Sequence, residues 1–239
     1  MFAVIKNNKF LIFHYLLFKG QVIKFLFLIN KNRRTYIDPT ARIIGVKNIE
    51  IGDYTLISED VWININHRVG KEKKLIIGKN CHIGKGNFIS VGPKILIKDF
   101  CFTGLNCNIL GCGHSYDNPF IPYKFSSLTD GKEIEIGVNC WLATSVIILE
   151  GVKIGHGSVI GTGTIVKEDI PPFSLVIGNP SKVIKRFDFK LNKWINISTW
   201  NIENENSIIE EDTYLELLNR NYHQMPISYI TSGKRFGWV

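Results

Sequence analysis

The stretch IGVNCWLATSVIILEGVKIGHGSVIGTGTIVKEDI, residues 136 to 170, decides how this chain folds. Taken in steps of six it falls into columns. Ile136, Leu142, Ile148, Ile154, Ile160 and Val166 are aliphatic, and four residues after each stands a small or β-branched residue: Cys140, Val146, Val152, Ser158, Thr164 and Ile170. The position just after the aliphatic one holds Gly137, Ala143, Gly155 and Gly161, with Leu149 and Lys167 as exceptions. An α-helix repeats every 3.6 residues and an ordinary strand every two, so a period of six is a repeat in its own right. It predicts a parallel β-helix, in which each hexad is one flat side of a triangular coil and the aliphatic residue points at the axis. Each inward Ile or Leu then contributes roughly 1.5–3 kcal/mol when fully buried. The Gly or Ala beside it is expected to let the backbone turn the corner.

The same columns extend toward the N-terminus. Ile37 and Ile43 keep hexad spacing with Ala41, and Ile51, Ile57 and Ile63 continue it with Thr55 and Val61 in the small column. Residues 66 to 74, NHRVGKEKK, break the register and read as an exposed, solvated loop. Hexads resume at Ile77, Ile83, Ile89 and Ile95, slip by two, and restart at Ile97, Thr103 and Ile109. Asn87 stands in the small column, where a buried amide must find partners or cost about 1–3 kcal/mol. It either joins an internal ladder of hydrogen bonds or lies at a coil edge and holds a substrate hydroxyl.

A β-helix grows by adding coils, so the 239 residues, 45% of them hydrophobic, need only one such domain. We divide the chain into a basic amphipathic N-terminal segment (1–34), an all-β hexapeptide-repeat domain (35–187) with a loop at 111–133, and a C-terminal extension (188–239). Of the five cysteines, Cys81, Cys101, Cys107 and Cys140 occupy the small column and read as small inward hydrophobes; only Cys112 stands outside it. With no Cys-x-x-Cys pair and no small-residue cleavage site after the N-terminal apolar stretch, a reducing cytoplasm is the expected compartment. The histidines His14, His67, His82, His114, His156 and His223 contain no recognisable zinc trio, so no metal is expected.

Segment 1–34 carries Lys6, Lys9, Lys19, Lys24, Lys31, Arg33 and Arg34 and no acidic residue, nearly the whole net charge of +8. Its apolar runs, residues 10–18 and 22–29, are each too short to span a bilayer. Two readings stay open: attachment to an anionic membrane surface, which would put the protein at the inner face of the membrane, or a helix covering the unpaired strand edges of the first coil. Nucleic acid is not an expected partner. At the other end, Pro171 and Pro172 are expected to end the regular coils. Ser207 and Glu210 ahead of Leu215, Leu217 and Leu218 predict a capped helix. Trp194, Trp200 and Trp238 are expected to cover the flank of the β-helix or a neighbouring subunit.

The runs Asn139-Cys140-Trp141-Leu142-Ala143, Gly151-Val152-Lys153-Ile154-Gly155, Asp169-Ile170-Pro171 and Gly178-Asn179-Pro180-Ser181-Lys182-Val183-Ile184 resemble the hexapeptide-repeat acyltransferases. Within them the chain is most similar to the maltose, galactoside and xenobiotic acetyltransferase branch and to O-acetyltransferases of surface polysaccharides. The resemblance covers about residues 35 to 187. It implies a left-handed β-helix, a homotrimer with active sites between subunits, and acetyl-CoA as donor.

From Gly111 the hexads stop for more than twenty residues, then resume in register at Ile136. A coil that ejects a loop this long does so for a reason other than packing, and chemistry is expected there. His114 stands at the exit beside Gly113. Acyl transfer from a thioester to a hydroxyl needs a base, and an imidazole supplies roughly 10²–10⁴ in rate. By the resemblance His114 is that base, Ala143 lies at a corner whose backbone N–H meets the developing oxyanion, and the pantetheine arm runs past Ala143, Thr144, Gly161 and Thr162. Lys182, Lys185 and Arg186 would meet the phosphates, with Lys167 in the same set, although Glu168 stands where a phosphate-facing lysine is usual. Asn87, Tyr116 and Trp141 would touch the acceptor, a small molecule or glycan. The leading expectation is O-acetylation of a sugar or glycan hydroxyl in surface polysaccharide synthesis. N-acetylation of an amino sugar and a catalytically silent or metal-dependent β-helix are the alternatives.

Overall fold

The computed structural model describes residues 34–68 and 70–222. The basic segment up to Arg33, with its two readings, and Trp238 lie outside these residues. Between Tyr36 and Ile177 the chain winds as a left-handed parallel β-helix with three faces. The first face stacks Tyr36–Ile37, Leu56–Ile57, His82–Ile83, Phe102–Thr103, Trp141–Leu142, Val159–Ile160 and Ser174–Ile177. The second stacks Arg42–Ile44, Trp62–Ile65, Phe88–Val91, Asn108–Leu110, Ile147–Leu149 and Ile165–Val166, and the third Ile49–Ile51, Leu75–Ile77, Ile95–Ile97, Ile134–Ile136 and Lys153–Ile154. Leu142 pairs with Ile160, Ile148 with Val166 and Ile136 with Ile154, each pair three hexads apart, so one coil is one trip around the triangle. The aliphatic column forms the core; Ile57, Ile83, Ile109, Leu142, Ile160 and Val166 are fully buried. The slip between Ile95 and Ile97 falls inside one strand whose two ends both point inward.

The corners work differently from the expectation. The left-handed backbone falls on the residue just before the small column, as at Asn139 (φ 53°) and Ser145 (φ 59°). The glycines after the aliphatic column answer to crowding instead. A Cβ on Gly137 would lie 2.6 Å from the His156 nitrogen, and one on Gly155 2.3 Å from the Pro172 nitrogen, because the next coil passes directly over them.

The small column is an inward ladder. Thr55 Oγ1 donates to Gly78 O (2.7 Å), Cys101 Sγ to Gly137 O (3.0 Å), Cys107 Sγ to Ala143 O (3.0 Å) and Ser158 Oγ to Pro171 O (3.1 Å). Each side chain reaches a corner carbonyl of the coil above. The cysteines are therefore weak donors as well as small hydrophobes, and burial pushes the thiols of Cys81, Cys101 and Cys107 up.

Pro171 and Pro172 do not end the β-helix. Ile170 still bridges Ile154, and Ser174–Ile177 joins the first face in parallel register with Val159–Ile160. The proline carbonyls serve the ladder as acceptors, which needs no N–H. The chain then reverses: Lys182–Asp188 pairs antiparallel with Ser174–Ile177, and Lys193–Asn196 pairs antiparallel with it in turn. A boundary at residue 187 thus falls inside a strand.

Two helices follow, α1 (Ile202–Glu205) and α2 (Glu211–Tyr222). The capping box belongs to α1, where Asn201 and Asn204 exchange hydrogen bonds; Ser207 donates to Asn204 O and caps nothing in α2. Glu211 fixes α2 to the third face by accepting from Val138 N (2.8 Å) and the Lys98 ammonium, and Tyr214 meets Asn139 and the rings of His156 and Phe173. Trp194 packs edge-on against Phe187, and Trp200 lies beneath Arg186, so both cover the end of the β-helix.

Candidate functional site

The loop at 111–133 leaves the edge between the second and third faces and folds back on itself. Thr129 N donates to Gly113 O (2.9 Å), Gly113 N to Thr129 Oγ1 (3.1 Å) and Ser115 N to Ser127 O (2.9 Å), with His114 bridging Leu128. His114 therefore sits in a short two-stranded base, exposed to solvent. Its Nδ1 lies 3.2 Å from Ser126 O. A carbonyl oxygen only accepts, so Nδ1 carries the proton and the lone pair of the neutral ring is on Nε2, facing outward. Tyr116 (77% exposed), Phe120 (93%), Tyr123 and Phe125 project from the loop into solvent.

Below the loop runs a polar stripe on the second face. Asn64 Nδ2 donates to Asn66 Oδ1 (2.6 Å), and Asn66 Nδ2 to Ser90 Oγ (2.9 Å) and Val91 O (3.1 Å). His67 Nε2 donates to Thr129 O at 3.1 Å, across 62 residues of sequence. Sequence reading missed Asn66, His67, Ser126 and Thr129: the 66–74 segment looks solvated, and no spacing links it to a loop so far away.

Ala143 and Thr144 stack beneath Gly161 and Thr162 on another edge, between the first and second faces. The Ala143 N–H is engaged in the ladder, donating to Ile160 O at 2.8 Å, and Gly161 N donates to Val176 O at 2.7 Å. This corrects the oxyanion assignment, because Ala143 has no free amide to offer. The next residues up the corner, Thr144 and Thr162, have amides that meet no acceptor among the described residues.

Three further assignments change. Asn87 is 1% exposed, its Nδ2 donating to Gly84 O and Gly104 O at 2.7 Å each, so it belongs to the internal ladder and cannot reach an acceptor. Arg186 is buried; its guanidinium pairs with Glu205, donates to Pro172 O (2.9 Å) and covers the Trp200 ring at 4.3 Å, leaving nothing for a phosphate. Lys167 lies on the His114 edge, exposed and 3.9 Å from Glu168, and does not join Gly161 and Thr162. Lys182 and Lys185 are exposed on the Lys182–Asp188 strand. Trp141 is 47% exposed on the first face, stacked on Phe102 at 6.3 Å. One chain thus holds His114 and Tyr116 on one edge, Ala143, Thr144, Gly161 and Thr162 on a second, and Trp141 on a face touching only the latter.

The third edge, with α2, borders a cavity of about 560 Å³ lined by Glu135, Lys153, His156, Asp169 and Glu211. Among the described residues no cluster of His, Cys, Asp and Glu could hold a metal ion, and no helix is long and apolar enough to cross a membrane.

The left-handed β-helix of hexapeptide repeats is similar in fold to the hexapeptide-repeat acetyltransferases. No family model matches it. A protein of Staphylococcus aureus (strain COL) provisionally named an acetyltransferase is 40% identical over 116 residues, covering 47% of this chain and 55% of that protein. The chloramphenicol acetyltransferase of Klebsiella aerogenes is 34% identical over 143 residues, covering 54% of this chain and 60% of that enzyme. The chain spans little more than half the length of the curated relatives it matches. Among solved structures, a point mutant of AntD, an N-acyltransferase from Bacillus cereus in complex with dTDP and coenzyme A, superposes with a TM-score of 0.56 at 20% identity, covering 78% of this chain and 90% of that one. That likeness is one of fold.

Proposed function

We propose that the protein is an acetyl-CoA-dependent O-acetyltransferase acting on a hydroxyl of a sugar or glycan, with His114 as the general base. The observation that carries this is the hydrogen bond from His114 Nδ1 to Ser126 O, which leaves Nε2 as the outward lone pair at the mouth of the ejected loop. Bound acetyl-CoA supplies an acyl carbonyl already activated as a thioester and a thiolate that leaves readily. The chain's own residues then have two tasks. Nε2 of His114 takes the acceptor proton as its oxygen attacks, and the resulting imidazolium gives that proton to the departing sulfur. The unclaimed amides of Thr144 and Thr162 suit the pantetheine amides and the developing oxyanion, and Lys182 and Lys185 suit the phosphates.

These two sets stand on different edges of one triangular prism. The active site we propose is therefore completed by a second subunit in a homotrimer, whose Thr144 edge faces the first subunit's His114 loop. The exposed aromatics of the loop support this. Cell-surface polysaccharide synthesis is the setting the sequence resemblance favours.

The test is a screen of sugars and oligosaccharides with acetyl-CoA, following free thiol, with the product treated at mildly alkaline pH. An acetyl ester is lost and supports the reading, whereas an acetyl amide survives and would move the protein to N-acetylation of amino sugars. His114→Ala should stop thiol release on the same acceptors.

A further inference from the structure

One contact between the loop that carries His114 and the body of the chain comes from residues that the reaction does not use. Asn66 is anchored to the second face through Ser90 Oγ, Val91 O and its own backbone N–H to Val91 O (2.9 Å). The next residue, His67, reaches the other way, to Thr129 O. Thr129 in turn grips Gly113 through both its backbone and its hydroxyl. Three residues before Thr129 on the same returning segment stands Ser126, whose carbonyl holds the His114 Nδ1 proton.

We propose that Asn66 and His67 form a bracket that positions His114, with His67 as a positioning residue for the base. The bracket sets where the returning segment, residues 126 to 129, lies relative to Gly113 and His114. That placement decides whether the Ser126 carbonyl meets Nδ1 and so keeps the lone pair on Nε2, and it decides where Nε2 points. The inference rests on His114 being the base. A displacement of about 1 Å in a reacting group can cost on the order of 10²-fold in rate, and the bracket ties the returning segment to the body of the β-helix.

His67→Leu removes the donor to Thr129 O and keeps bulk. It should lower kcat by about 10- to 100-fold, leave the KM for acetyl-CoA near wild type because the cofactor edge is elsewhere, and hardly move the thermal midpoint. His67→Gln, whose side-chain amide can donate to the same carbonyl, should restore kcat to within about threefold of wild type. In ¹⁵N spectra of labelled histidine, His114 should show the Nδ1-protonated tautomer in the wild type and His67→Gln and a mixture in His67→Leu. Adding His67→Leu to His114→Ala should cost nothing further, since residues acting through one group are not additive. Should the leucine variant fail to assemble, His67→Asn, a methylene too short for Thr129 O, makes the same comparison.

A wild-type kcat and tautomer in His67→Leu, beside an inactive His114→Ala, would overturn the bracket and leave the base in place. Activity above a tenth of wild type in His114→Ala would overturn the base and the bracket together. Loss of activity in His67→Leu that His67→Gln fails to restore would also sink the bracket, showing a role for the imidazole itself.

Discussion

At the scale of single residues, His114 and Asn87 show how alike two polar side chains look in a sequence and how differently they act. His114→Ala should lower kcat by roughly 10²–10⁴, the loss of a general base, while the thermal midpoint and the KM for acetyl-CoA stay near wild type. Steady-state kinetics beside thermal unfolding check both halves, and a variant retaining more than a tenth of kcat with its oligomer intact would remove His114 from the mechanism. Asn87 sits in the ladder, bonded to the carbonyls of Gly84 and Gly104. Asn87→Leu should therefore cost about 1–3 kcal/mol of stability in urea unfolding, because two corner carbonyls lose their donor. An equal stability with a raised KM for the acceptor would return Asn87 to the active site. The hexad column announced that position 87 points inward; whether its amide found partners depended on the corner of the coil above, which lies 17 residues on in sequence.

Among elements, the strand Lys182–Asp188 separates residues that sequence reading grouped together. Alternate side chains of a strand face opposite ways, so Lys185 points to solvent and Arg186 to the interior. Lys182→Glu with Lys185→Glu should raise the KM for acetyl-CoA and leave the unfolding midpoint alone, since exposed charges steer a ligand more than they stabilise a chain. Arg186→Leu should do the reverse. It removes the guanidinium donors from Pro172 O and the ion pair with Glu205, and a loss of about 1–3 kcal/mol with an unchanged KM is the expected pattern. An altered KM in Arg186→Leu alone would reinstate it as a phosphate ligand.

The docking of α2 has a pH dependence. Burial alone would raise the Glu211 carboxyl, but hydrogen bonds from Lys98 and Val138 outweigh it and hold the group below its ordinary 4.5. A depressed carboxylate stabilises the docked state above pH 4.5 and loses that contribution as pH falls through its folded-state value. Lys98 is shifted upward, burial being outweighed by Glu135 and Glu211, so its contribution fades only above 10.5. Protection of the α2 amides against hydrogen exchange, relative to their intrinsic rates at each pH, should thus fall as the solution is taken below about pH 4.5, and Glu211→Gln should show that lowered protection already at neutral pH. Exchange in Glu211→Gln matching wild type would mean that Tyr214 and its aromatic neighbours hold α2 by themselves.

For the whole molecule, the separation of the His114 edge from the Thr144 and Thr162 edge makes a prediction about subunit mixing. His114→Ala and Thr162→Trp should each be inactive as homotrimers, the first without a base and the second with its cofactor groove blocked. Co-assembled, they should regain activity, because an interface between an intact His114 edge of one subunit and an intact cofactor edge of the next carries both. Light scattering should give a trimer for each variant at micromolar concentration. Mixed trimers without activity would place both edges of a site in one chain, against the triangular topology.

What the sequence by itself determined is the repeat and everything that follows from stacking like on like. A period of six dictates the coil, the buried aliphatic column and the inward small column, and the break at 111–133 marks the place where packing is not the reason for the chain's path. Tertiary structure alone decided which side chains meet. The close passage of the next coil over Gly137 and Gly155, the Arg186 clamp on Glu205 and the reach of His67 to Thr129 all join segments that lie apart in the sequence. Coil length sets those contacts, and two loops of irregular length, 66–74 and 111–133, shift it in ways no hexad count records. The same geometry places His114 and Thr144 on separate edges: side chains that a linear motif lists as one site are turned apart by a third of a triangle, so a single chain cannot bring them together.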